Sequence, residues 1–258
     1  MPHAQRADAS LYYEVHGDGP PLVFAHGAGG NTLIWWQQVP FFARTRRVLT
    51  FDHRGFGRST CAPADFHARE FAGDLRAILD AAGIERAALV CQSMGGWTGL
   101  RAALEYPERV ACLVLSGTPA GVLTPKAIEA FARIGRIAAG EGIRGAPALA
   151  PDFPAREPAL AHLYDQISAL NPGLPPSALA TLGQARVEPA ELARHRVPTL
   201  MISGEHDQLF PPAALKEAAA QIPGCRVTSF PGAGHSPYFE DAPRFNRIVA
   251  EFLAETGA

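Results

Sequence analysis

Between residues 20 and 118 the sequence repeats one device: a short apolar run without polar alternation, closed by Gly, Asp or Ser, then a longer stretch with apolar residues at helical spacing. Leu22 to Ala25 stops at His26-Gly27, Val48 to Phe51 at Asp52, Ala87 to Cys91 at a glycine-bounded turn, and Val110 to Leu115 at Ser116-Gly117. A strand that is apolar on both faces needs cover on both faces, which is the condition of a parallel sheet between two helical layers. The intervening stretches 67–82 and 95–106 have helical spacing, the first closed by Gly83 and the second by Pro107. This βαβ series predicts a mainly parallel sheet with right-handed crossovers.

Outside that series, Leu11 to His16, followed by Gly17-Asp18-Gly19-Pro20-Pro21, reads as a hairpin strand leading into the first parallel strand. Strands resume at Thr199 to Ser203 and at Arg226 to Phe230, and the helix Pro243 to Ala254 follows them. From 120 to 190 there is no strand signal, many prolines, and amphipathic pieces such as Lys126 to Ala138 and Ala159 to Leu170. This stretch reads as a helical insertion within a single domain spanning 1–258, a length that supports a sizeable core.

Charge narrows the partners. The sequence has 23 basic and 25 acidic side chains, a net charge of −2, which argues against a polyanion-binding surface and so against nucleic acid. No apolar run approaches the ~18 residues of a membrane span, and the first ten residues lack the apolar core of a signal peptide. Cys61, Cys91, Cys112 and Cys225 form no C-x-x-C pair and no zinc spacing, so they read as thiols in a cytoplasmic protein. Nine histidines include no H-x-x-x-H or H-E-x-x-H, and Gly27, Gly29 and Gly30 belong to no phosphate-binding pattern. No metal or cofactor is expected, and oligomeric state is not readable.

Chemistry concentrates in Val90-Cys91-Gln92-Ser93-Met94-Gly95-Gly96, where a strand enters a helix through a turn centred on serine. A serine on such a turn presents Oγ above the sheet edge, and the next helix aims backbone N–H groups and its positive dipole end at it. Strand and helix approach closely there, and Gly95 and Gly96 are small enough to allow it. Cys91 stands where the common G-x-S-x-G pattern has its first glycine. An activated serine needs a base and a group that orients the base. The run 199–203 leads into Gly204-Glu205-His206-Asp207, and 226–230 into Pro231-Gly232-Ala233-Gly234-His235. The chain order is therefore Ser93, Asp207, His235, each just past a strand, with Glu205 a rival carboxylate.

In these features the chain resembles the α/β-hydrolase family from about residue 11 to residue 254. Four blocks carry the likeness in order: His26-Gly27-Ala28-Gly29-Gly30, Asp52-His53-Arg54-Gly55-Phe56-Gly57-Arg58-Ser59, the serine turn, and the acid and histidine loops. The resemblance implies an α/β fold with a helix-flanked, mostly parallel sheet and a helical lid at 120–190. It implies Ser93 as nucleophile, His235 as general base and then acid, Asp207 as its orienter, and the N–H groups of Ala28 and Met94 as the oxyanion hole. Family spacing favours Asp207 over Glu205, and Ser116-Gly117-Thr118 offers no carboxylate at the family's alternative acid position. By the same resemblance His26 bonds the oxyanion loop, and Asp52 and Arg54 tie down the loop around Gly55 and Gly57.

A serine rather than an aspartate in the turn argues against haloalkane dehalogenase and epoxide hydrolase chemistry. The implied activity is hydrolysis of a carboxylic ester or lactone, through an acyl-enzyme, with a small-molecule substrate and water as partners. Carbon-carbon hydrolases of the meta-cleavage type share the Ser-Met-Gly-Gly turn, although they commonly carry Trp after the catalytic histidine, where this chain has Ser236-Pro237. Enol-lactonases and cofactor-free haloperoxidases remain open, as does a small-molecule receptor that retains the triad. Phe131, Ile134, Leu163 and Ile167 in the insertion suggest a largely apolar pocket, while Trp35, Trp36 and Trp97 read as core, Trp97 bordering the site.

Overall fold

The structure, a computed structural model, describes residues 2–6, 9–140, 146–172 and 177–258. Nine strands form one sheet: β1 (His3–Arg6), β2 (Ala9–His16), β3 (Pro21–Ala25), β4 (Arg47–Phe51), β5 (Thr60–Cys61), β6 (Ala87–Gln92), β7 (Val110–Ser116), β8 (Thr199–Gly204) and β9 (Arg226–Phe230). Their order is β1-β2-β4-β3-β6-β7-β8-β9, with β5 paired to β2. From β4 to β9 every pairing is parallel.

The unalternated apolar runs do what parallel strands require. Val23 and Ala25 of β3, Leu89 and Cys91 of β6 and Leu113 and Leu115 of β7 face one core, packed with Phe71, Leu75 and Ile78 of the helix Phe71–Ala81 and with Leu100 of the helix Gly95–Glu105. Their neighbours Leu22, Phe24, Ala88, Val90, Cys112 and Val114 face the other, packed with Trp35, Tyr238, and Phe245 and Val249 of the helix Ala242–Thr256. Successive side chains point to opposite faces, so each strand serves two cores at once.

Two expectations change. The strand around Leu11 to His16 does not pair with β3, which follows it in the chain; its antiparallel partners are β1, β4 and β5. The N-terminal segment forms β1 at the sheet edge, where Arg6 donates to Asp74 at 2.8 Å and to Glu70 at 2.9 Å. The helix expected at 67–82 begins as a 3-10 turn, Ala68–Glu70, capped by the His67 side chain, before the α-helix proper. Its stop is as expected, with Gly83 at φ +62°.

Between β7 and β8 the described residues form only helices: Pro125–Gly140, the 3-10 turn Ala146–Ala148, Phe153–Arg156, Pro158–Ala169, Ser177–Gln184 and Pro189–Leu192. Part of the expected insertion, 141–145 and 173–176, lies outside the described residues. Among the described residues no helix is long and apolar enough to cross a membrane, and no group of His, Cys, Asp and Glu could hold a metal ion. Cys91 and Cys112 are buried, and Cys61 and Cys225 are partly exposed.

Candidate active site

Parallel strands end on the same edge, so the loops after β3, β6, β7, β8 and β9 converge, and the candidate site lies there. Ser93 follows β6 at φ +50°, one of two non-glycine residues with positive φ among those described. Its N–H donates to the Ser116 carbonyl at 2.9 Å and its carbonyl accepts from Gly96 at 2.9 Å, which fixes the turn. Holding serine in this region costs on the order of 1–3 kcal/mol, so the surrounding packing has to enforce it. Glycines make the packing feasible. A Cβ on Gly95 would come closer than 3.0 Å to the Ala25 carbonyl oxygen, one on Gly96 closer than 3.0 Å to Thr118 Oγ1, and one on Gly27 closer than 3.0 Å to Ser93 Cβ.

Cys91 in place of the first glycine has a local explanation. Its Sγ occupies the space opposite Gly99 in the following helix, 2.5 Å from where a Cβ there would lie. Gly99, lacking a Cβ, leaves the room that Cys91 needs at this strand-to-helix contact. Burial pushes the Cys91 thiol far up, so it is inert packing. Gly99→Ala is expected to destabilise the fold by about 1–3 kcal/mol through overpacking, and Cys91→Ala in the same chain to recover part of that loss. Urea unfolding of the two single variants and the double variant checks the coupling.

Asp207 and His235 meet as the sequence order implied. His235 Nδ1 is 2.9 Å from Asp207 Oδ2, and both side chains are buried. The other carboxylate oxygen, Oδ1, accepts from the N–H groups of Leu209 and Phe210, each at 2.8 Å. Glu205 is half-exposed and accepts from Gly232 N–H at 3.0 Å, away from the histidine. At the alternative acid position, a Cβ on Gly117 would lie 2.8 Å from the His235 carbonyl oxygen and 3.1 Å from Nδ1, so a side chain there would displace the imidazole.

Ser93 and His235 line one cavity of about 50 Å³ with Ala28, Gln92, Phe131, Ile134, Ala148, Tyr164, Ser168, Leu209 and Phe210. The Ser93 hydroxyl has no hydrogen-bond partner among the described residues. The N–H groups of Ala28 and Met94 likewise donate to no acceptor among those residues, which leaves two donors beside the serine. Ala28 belongs to the turn Gly27–Gly30, closed by Gly30 N–H donating to the Gly27 carbonyl at 3.0 Å with Gly29 at φ +86°. His26 Nε2 accepts from His53 N–H at 2.9 Å, so its proton sits on Nδ1 and donates to the Gly27 carbonyl at 2.8 Å. Burial pushes the His26 imidazole below its usual range, which keeps it neutral and this tautomer fixed.

Asp52 and Arg54 hold the neighbouring loop through separate partners. Asp52 accepts from Thr32 N–H at 2.6 Å and Arg58 N–H at 2.8 Å; Arg54 forms a buried bidentate pair with Asp74 at 2.6 and 2.7 Å. Trp35 is buried and Trp97 stands behind Phe131, donating to the Leu182 carbonyl at 3.0 Å, whereas Trp36 is exposed and not core. Of the four apolar residues named in the insertion, Phe131 and Ile134 reach the cavity, while Leu163 and Ile167 pack on the second core.

Three polar residues were not singled out by sequence. Gln92 donates to the His235 carbonyl at 3.4 Å. Asn171 accepts from Gly57 N–H at 2.9 Å and donates to the Gly29 carbonyl at 2.8 Å, joining the β7–β8 segment to the turn that carries Ala28. Glu240 accepts backbone N–H groups on both sides of His235. All three act on main-chain groups, which leave no side-chain pattern to read.

A serine and a carboxylate-paired imidazole on one cavity, with two N–H donors that no described residue accepts from, are the kinds of group that can attack a carbonyl, move its proton and hold an oxyanion. The chain belongs to the alpha/beta hydrolase fold family, whose profile it matches over residues 20–242, and it is a hydrolase of that family. It is 32% identical, over 99% of both chains, to a protein of Azorhizobium caulinodans named for a carbamate hydrolase activity, RutD. It is 35% identical to the 2-hydroxymuconate semialdehyde hydrolase of Pseudomonas sp. strain CF600, over 94% of this chain and 89% of that one. The crystal structure of the enol-lactonase from Burkholderia xenovorans LB400 superposes with a TM-score of 0.84 at 27% identity, covering 98% of this chain and all of that one.

Proposed function

We propose that the protein is a serine hydrolase that cleaves a carboxylic ester or lactone of a small, largely apolar substrate through an acyl-enzyme. The observation that carries this reading is that Ser93, Ala28 and His235 line one cavity, with His235 paired to Asp207 and with the N–H groups of Ala28 and of Met94, the residue after Ser93, donating to no acceptor among the described residues. Ser93 Oγ attacks the carbonyl while His235 Nε2 accepts its proton and Asp207 holds the imidazole with its proton on Nδ1. The oxyanion binds the N–H groups of Ala28 and Met94; His235 then protonates the leaving alkoxide and activates the water that releases the acid. The helical segment between β7 and β8 acts as the lid, supplying Phe131, Ile134, Ala148, Tyr164 and Ser168 to the cavity wall.

Cavity size limits the acyl group. A volume of about 50 Å³ holds roughly four waters, so an acyl group of about that many heavy atoms fits without moving the lid. On p-nitrophenyl esters, kcat/KM for acetate to butyrate is expected to exceed that for octanoate at least about 10-fold, because forcing extra methylenes against a packed wall costs about 1–3 kcal/mol. Equal or faster octanoate turnover would refute the size assignment. A panel of short esters, lactones, carbamates and vinylogous diketo acids tests the reaction class. Turnover of esters or lactones above that of Ser93→Ala supports the reading, and none on any ester or lactone overturns it. A carbamate ester is the second reading, favoured by similarity to the relative named for that activity and served by the same carbonyl chemistry.

A further inference from the structure

Glu240 is a partly buried carboxylate that the proposed proton transfers do not use. It ends the short helix Pro237–Glu240, five residues after His235, and its hydrogen bonds from the described residues all come from backbone N–H groups. Oε1 accepts from Gly234 at 3.0 Å and from Ser236 at 3.3 Å, the two residues flanking His235. Oε2 accepts at 2.9 Å from Ala150, in the segment between β7 and β8. The histidine loop and that segment also touch directly, since a Cβ on Gly234 would come closer than 3.0 Å to Ala150 N. Burial pushes the Glu240 carboxyl above its usual range in spite of its three donors. An acid kept where burial disfavours its charge is poorly explained by stability alone.

We propose that Glu240 is a positioning residue: one oxygen holds the backbone on both sides of His235, the other fastens that loop to Ala150, and the imidazole is aimed at Ser93 through this bridge. The inference rests on the reading of His235 as the base. A carboxylate is the side chain the geometry calls for, because three N–H donors converge on two acceptor oxygens. Glutamine has one oxygen; with it kept on Gly234 and Ser236, its NH₂ faces the Ala150 N–H and the bridge is cut. Aspartate keeps both oxygens but is one methylene shorter and cannot span both sides. The lid reading gains a second role here, since the same segment also grips the Ala28 turn through Asn171.

The test compares wild type, Glu240→Gln and Glu240→Asp by kcat and KM on a short ester and by the rate constant of fluorophosphonate labelling, with circular dichroism to confirm folding. In folded variants kcat and labelling rate are expected to fall together, about 10- to 100-fold for Glu240→Gln, with KM within about threefold, because misaiming of the order of 1 Å slows the chemical step. A purely structural role would lower thermal stability and leave both rates of the folded protein unchanged, which overturns the proposal. Failure of both variants to fold also overturns it, since the carboxylate would then be holding the fold. The parent reading fails separately, by absence of labelling in the wild type.

Discussion

Exchanging Asp207 for asparagine is expected to lower kcat by about 10⁴-fold while leaving the fold intact. The reason lies in how the carboxylate is held. Oδ1 accepts from the N–H groups of Leu209 and Phe210, so an amide in this place keeps its carbonyl oxygen there and turns its NH₂ toward His235. Nδ1 then has to accept rather than donate, the ring proton moves to Nε2, and the imidazole cannot take a proton from Ser93. Because the two main-chain donors lock the amide against a flip, the wrong tautomer is enforced. Glu205→Gln is the matched control: its carboxylate is half-exposed and bonded to Gly232, and activity is expected to stay within about twofold. Steady-state kinetics on a short ester with thermal melts separates the two variants. A large loss for Glu205→Gln with a small one for Asp207→Asn would reverse the assignment of the acid.

Ser93 yields the other large effect, and it runs in opposite directions for activity and stability. Ser93→Ala is expected to reduce kcat at least about 10⁴-fold, since it removes the hydroxyl that the proposed acyl-enzyme forms on. Ser93→Gly is expected to be equally inactive and more stable than wild type by about 1 kcal/mol, because φ of +50° is unstrained only for glycine. A urea midpoint for Ser93→Gly at or below the wild-type value would mean that the turn stores no strain.

The parallel part of the sheet was legible because its strands are buried on both faces and written as unbroken apolar runs. The pairing of Leu11 to His16 was not. Hairpin logic joins neighbours in sequence, whereas β4 crosses over to lie between β2 and β3, and only tertiary packing decides that. β1 escaped notice because His3–Arg6 is short and mostly polar, and a four-residue strand leaves no periodicity to detect.

At the candidate site, Ser93, Asp207 and His235 can be proposed from sequence because the chemistry demands particular side chains at strand ends. Cys91 was readable as a departure, but its compensation by Gly99 lies eight residues away, across the strand-to-helix contact, and needs three dimensions. Asn171 and Glu240 were invisible for a different reason. Their partners are the N–H and C=O groups of Gly29, Gly57, Gly234, Ser236 and Ala150, groups nearly every residue has.

The central claim is that Ser93 is activated by His235 beside two free N–H donors. Intact-protein mass spectrometry after treatment with a fluorophosphonate, followed by peptide mapping, tests it most directly. The account predicts one adduct per chain, on the peptide that carries Ser93, absent in Ser93→Ala and much slower to form in His235→Ala. An adduct on another residue, or unchanged labelling of Ser93→Ala, would contradict it.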